Sequence, residues 1–130
     1  MHDSLQAVLP PGANPKSTFS PAVRAGDFLF ISGMTAVNPQ REIVGHGDIV
    51  EQARYIYQKI GAVLTAAGAD FSRVVETVEY VTQLDDYART ADVRREIFGA
   101  GPYPAATGVQ VSGLVRPGAL IEIRATAYLG

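Results

Sequence analysis

The chain has 130 residues, 47% of them hydrophobic, enough for one domain with a packed core and too few for two. Its 11 basic and 13 acidic residues leave a formal net charge of -2 with no block of like charge, so the sustained positive surface that binding to nucleic-acid phosphates requires is missing. The absence of cysteine excludes a disulfide framework, a thiolate metal site and a cysteine nucleophile together.

Met1 to Lys16 is rich in Pro, Ala and Gly, and Pro10, Pro11 and Pro15 predict an irregular arm. Phe19 to Arg24 reads as a short strand, Ala25-Gly26-Asp27 as a turn, and Phe28 to Ser32 as a second strand that closes a hairpin. After Gly33 and a turn at Asn38-Pro39, Glu42 to Val44 is a candidate short strand. Asp48 with Glu51 three positions later has the form of a capping box, and Ile49, Ala53, Ile56, Ile60, Val63 and Leu64 recur at helical spacing up to a stop at Gly68. Arg73 to Gln83 is strand-like, and Asp85 or Asp86 is placed to cap a second helix ending near Phe98. Two last strands, around Thr107 to Leu114 and Ala119 to Leu129, are joined by Arg116-Pro117-Gly118, which fits a type II turn.

This order suits an open mixed sheet with both helices on one face. In the final strand Ile121, Ile123, Ala125 and Ala127 alternate with Glu122, Arg124, Thr126 and Tyr128, so one face is apolar and the other polar. In the strand at Arg73 to Gln83, Val74, Val78 and Tyr80 alternate with Val75 and Val81, which leaves both faces partly apolar and predicts association with further copies of the chain.

The segments Tyr103-Pro104-Ala105-Ala106-Thr107-Gly108-Val109 and Gly118-Ala119-Leu120-Ile121-Glu122-Ile123 resemble the C-terminal signature of the RidA/YjgF family of enamine and imine deaminases. Phe19-Ser20-Pro21-Ala22-Val23, Phe30-Ile31-Ser32-Gly33, Val37-Asn38-Pro39 and Ala66-Ala67-Gly68 extend the resemblance over nearly the whole chain. It implies an α+β, chorismate-mutase-like fold with two helices on a mixed sheet. It also implies a homotrimer with small-molecule clefts between subunits, and no cofactor. By that resemblance Glu122 orients the attacking water, Gly33 and Gly108 mark close backbone approach to the ligand, and Thr107 offers a hydroxyl there. Read without it, the same residues are a strand glutamate, two turn glycines and an ordinary strand threonine.

Three positions depart from the family pattern. The arginine that grips a substrate carboxylate falls at Ala106, a tyrosine near the cleft is Phe19, and an asparagine position is Ala91. Phe19 keeps a ring for stacking, and Arg124, on the Glu122 face by strand parity, is a candidate replacement anchor with a surface ion pair as its plainer reading. An aminomuconate-deaminase-like substrate is compatible with the loss of the arginine, and a non-catalytic trimer binding a metabolite or a protein is the alternative.

His2 and His46 lack the partners that a metal site or a nucleophile relay requires, and no serine has a nucleophile-elbow context, so no metal site is expected. Arg94 and Arg95 read as solvated helix positions. No stretch approaches the roughly 20 apolar residues of a membrane span, and no basic segment followed by an apolar run stands at the start. A cytoplasmic protein without membrane or nucleic-acid partners is the expectation.

Overall fold

The computed structural model describes residues 1–130. Six strands, Leu5–Val8 (β1), Ala22–Ala25 (β2), Phe28–Met34 (β3), Val74–Val81 (β4), Ala105–Gln110 (β5) and Ile121–Tyr128 (β6), form one sheet in the order β1-β2-β3-β6-β4-β5. All neighbours are antiparallel except β4 and β5, whose parallel pairing requires a crossover that the helix Ala91–Phe98 (α2) supplies. The long helix Ile49–Ala66 (α1) packs beside α2 on the same face. The fold is thus α+β with a mixed sheet, as the order of elements predicts.

Helix α1 begins where Asp48 accepts hydrogen bonds from the amides of Val50 and Glu51. It ends in a reversal in which Ala69 N–H reaches back to Leu64 O and Gly68 takes φ 76°. Its buried stripe of Ile49, Ala53, Ile56, Tyr57, Ile60, Val63 and Leu64 meets Leu29 and Ile31 of β3 and Ile121, Ile123, Ala125 and Ala127 of β6. Fully burying one such aliphatic side chain contributes roughly 1.5–3 kcal/mol, so this stripe is the principal weld between helix layer and sheet.

Four sequence expectations need correction. The arm at 1–16 is not irregular throughout: Leu5–Val8 pairs with β2 as the sheet's edge strand. The prolines follow it instead of interrupting it, and an exposed edge needs backbone pairing more than apolar content. The second helix does not run from an aspartate cap; Asp86 has φ 60° and no capping bond, a 3₁₀ turn spans Tyr87–Thr90, and α-helix starts only at Ala91. Glu42 to Val44 forms a single bridge, Ile43 to Val37, and no strand. Finally, a bulge at Val75 shifts the phase at the start of β4, so Val74 joins Thr77, Glu79 and Val81 on the helix face, while Val78 and Tyr80 lie opposite Val81 as expected.

Gln52, wholly buried in α1, fixes the entry to β6. Its side-chain amide donates to Gly45 O at 3.0 Å and Gly118 O at 3.2 Å, and its carbonyl accepts from Leu120 N at 2.9 Å. Replacing Gln52 with leucine strands three backbone groups in the interior, each costing about 1–3 kcal/mol if left unpaired and less where water can reach it. Gln52→Leu is expected to lower unfolding free energy by roughly 2–4 kcal/mol, read from the midpoint and slope of urea denaturation.

Candidate functional site

Glu122 stands second in β6, flanked by the fully buried Ile121 and Ile123, and its carboxylate points to the sheet face away from the helices. That face is open across β3 because β3 carries a bulge between Ile31 and Met34, and Gly33 lies within it. A methyl group on Gly33 would sit 2.5 Å from Glu122 Oε2, so the glycine makes room for the carboxylate. Glu122 itself makes no hydrogen bond or ion pair with any other side chain, although it is partly withdrawn from solvent. The lysine Lys59 steadies the loop beyond the bulge, donating from Nζ to Thr35 O and Val37 O at 2.9 and 3.0 Å, and burial lowers its pKa. On the other side, Ser32 holds the segment containing Phe19 through its hydroxyl to Ser20 O at 2.6 Å and its amide to Pro21 O at 2.9 Å. Phe19 is exposed beside this loop.

Register places the remaining sequence candidates. Thr107 aligns with Val78 and Arg124 in one cross-strand row on the Glu122 face, and Val109 aligns with Tyr80 and Glu122 in the next. Arg124 is exposed, and its Nε donates to the Tyr80 hydroxyl at 3.3 Å. Ala106 and Gly108 point the other way, toward the helices, opposite Thr77 and Glu79. In a single chain Glu122, Gly33, Thr107 and Arg124 therefore share one face, while Ala106 and Gly108 lie on its reverse. The space beside Gly108 is taken by the ring and hydroxyl of Tyr87, which any larger residue there would meet.

On the reverse face a polar cluster went unseen in the sequence. Glu79 is 2% exposed, and its carboxylate accepts from Tyr57 at 2.7 Å, Tyr87 at 2.7 Å and Arg94 Nη1 at 2.9 Å. Arg94 is thus the partner of a buried acid and not a solvated helix position. Its neighbour Arg95 pairs with Asp92 at the surface, 2.6 Å apart. Burial, then the hydrogen bond and negative charge of Glu79, push the Tyr87 phenol up to about 12, and burial followed by the charge of Glu79 pushes Tyr57 well above the ordinary phenol value. The available signal was a carboxylate, Glu79, in an apolar strand and in phase by parity with Thr77 and Val81. Above this cluster, between α2 and β5, lies a cleft of about 230 Å³ lined by Thr77, Ala91, Arg94, Phe98, Tyr103 and Ala106, among others.

Comparison with known proteins places this architecture. The family model described as Endoribonuclease L-PSP matches residues 11–129. A RutC family protein of Pyrococcus horikoshii is 38% identical over 114 residues, covering 88% of this chain and 89% of that protein. The crystal structure of a conserved Rid family protein from Yersinia pestis superposes with a TM-score of 0.86 at 28% identity, covering 95% of this chain and 98% of that one. RidA from an Antarctic Psychrobacter superposes with a TM-score of 0.80 at 29% identity, covering 98% and 99%.

The raised phenols give a pH test. Each is neutral in both folded and unfolded chains below the ordinary value near 10.0, so their contribution is fully present there. As pH rises from 10.0 toward about 12 the unfolded chain ionises first and stability falls. Tyr87→Phe is expected to flatten the decline of melting temperature across this alkaline window relative to wild type; an unchanged slope would mean that Tyr87 does not titrate with folding.

Proposed function

We propose, from the premise that the chain belongs to the Endoribonuclease L-PSP family, the RidA/YjgF family, that it hydrolyses an enamine or imine to a carbonyl compound and ammonia. One observation carries this reading: Glu122 presents a carboxylate with no side-chain partner, partly withdrawn from water, against a glycine bulge that leaves room beside it. Such a group can hold a water molecule and take its proton as the water oxygen attacks the C=N carbon. The new C–O bond converts the double bond to C–N, and the proton passes to nitrogen. The hydroxyl proton then passes by way of the carboxylate to the same nitrogen, the C–N bond breaks to release ammonia as the C=O bond forms, and the carboxylate ends ionised as it began. An enamine first gains a proton at carbon to give the imine. No redox step occurs, and the chemistry needs only water and a proton carrier.

The family description names an endoribonuclease, but a net charge of -2 does not favour a polyanionic substrate. Assembly belongs to the proposal. The face away from the helices leaves Phe28, Phe30, Tyr128 and Val109 about 39–50% exposed, a patch of the kind that subunit contact covers. The reverse-face cleft at the β5 edge and the Glu122 face lie apart in one chain, and a second copy laid against the sheet unites them. We therefore include a homotrimer with small-molecule clefts at its subunit junctions. Light scattering on a size-exclusion column is expected to give three times the chain mass, and a stable monomer at micromolar concentration would remove the composite site.

Two substitutions test the catalytic role. With an imine generated in situ from an amino acid by an amino-acid oxidase, and with ammonia and the oxo acid quantified, Glu122→Gln is expected to lower the rate by roughly 10²–10⁴-fold with folding intact. Gly33→Ala is expected to reduce turnover while barely changing stability, because the added methyl group displaces the flexible end of Glu122 and Gly33 has no positive φ. If the wild type turns over no imine or enamine at all, a binding role takes precedence over catalysis.

A further inference from the structure

The cleft between α2 and β5 has a charged wall that the Glu122 chemistry does not use. Arg94 is held by one nitrogen only: Nη1 donates to Glu79 at 2.9 Å and makes a long contact of 3.4 Å to Thr90 Oγ1, while Nε and Nη2 have no protein partner. Those two nitrogens form the side-on edge of the guanidinium, whose parallel N–H bonds match the two oxygens of a carboxylate. The chain supplies its own example, since Arg54 grips Glu96 through this same edge at 3.0 and 2.8 Å. Ala91 and Ala106, both small, open the space in front of Arg94, and Phe98 and Tyr103 wall it with rings. Thr77 forms part of the lining; its hydroxyl is buried near that of Tyr57 without a hydrogen bond of good geometry.

We infer that this cleft binds the carboxylate of a small organic acid, with Arg94 as the anchor. The inference rests on the deaminase reading only in taking the substrate to be an imino or enamino acid. Arg94 suits the task better than Arg124 because it is pre-oriented. Buried Glu79 holds one of its nitrogens at the cleft wall, whereas Arg124 is exposed and tied only to the Tyr80 hydroxyl. Nearby charges nearly cancel: Arg94 faces Glu79, and Arg95 faces Asp92. Directed hydrogen bonds, not a strong positive field, therefore govern binding, which favours a single carboxylate over a polyanion. The carboxylate of Glu79 is sealed beneath two tyrosines and the arginine, so it does not repel the incoming acid.

The test uses 2-oxobutyrate, an acid of the class that such a reaction would release, and 2-oxobutyramide as its uncharged counterpart. Titration of the intact protein followed by ¹H–¹⁵N NMR is expected to show saturable binding of the acid, with a shift of the Arg94 Nε–H resonance, and no matching effect of the amide. Arg94→Lys keeps a positive charge beside Glu79 but loses the two-pronged edge, and is expected to weaken binding by roughly tenfold or more. Ala106→Leu leaves the Arg94 to Glu79 pair untouched and fills the cleft; it decides the matter if the lysine variant is poorly folded. Equal binding of acid and amide, no saturable binding of the acid, or undiminished affinity in the folded variants overturns the inference. Acid binding at Arg94 without any imine hydrolysis sinks the deaminase reading and leaves the anchor standing. Imine hydrolysis with KM unchanged in Arg94→Lys does the reverse.

Discussion

A carboxylate sealed inside a protein must be matched by donors, and Glu79 meets that requirement with groups from three separate elements. Tyr57 reaches it from α1, Tyr87 from the 3₁₀ turn and Arg94 from α2. Removing any one partner leaves part of a buried charge uncompensated, at a cost larger than the pair itself contributes when intact. The short helix α2 buries Val93 outright and packs Ile97 and Phe98 against the core, and the polar clamp adds a directed tie between it and the sheet. The same clamp holds Arg94 on the wall of the cleft at the β5 edge and fills the space beside Gly108 with Tyr87.

Two bulges divide the labour of the sheet. The one at Val75 lets Val74 join Glu79 on the helix face, while the one between Ile31 and Met34 brings Gly33 against Glu122. Without the first, strand parity would put Val74 on the outer face with Val78 and Tyr80. Without the second, a regular β3 would present a different residue to Glu122. Extra residues of this kind re-aim side chains at the expense of one ladder bond, and here both lie beside carboxylates.

Small residues do comparable work. Ala91 on α2 and Ala106 on β5 are small, and between them they leave a hollow in front of the Arg94 guanidinium. An alanine in place of an anchoring side chain on one strand is thus no proof that the anchoring chemistry is gone, because the position faces a space that several elements share.

Much of this protein was legible in local sequence. Asp48 as a helix cap, Gly68 as a stop, the Pro117-Gly118 turn and the two-sided alternation of Ile121 to Tyr128 each depend on neighbours within a few residues, so residue type and spacing carry them. The class of fold and the outward orientation of Glu122 followed from such patterns. The edge strand Leu5–Val8 was hidden because so short a segment shows no period of its own, and the partner that makes it a strand, β2, lies beyond the prolines that follow it. The clamp on Glu79 joins residues 22, 8 and 15 positions away, and the cleft opposes α2 to β5. No local pattern reports such contacts: which charges end up buried together is decided when the helices settle on the sheet, and one extra residue in a strand is enough to reverse the face on which a side chain lies.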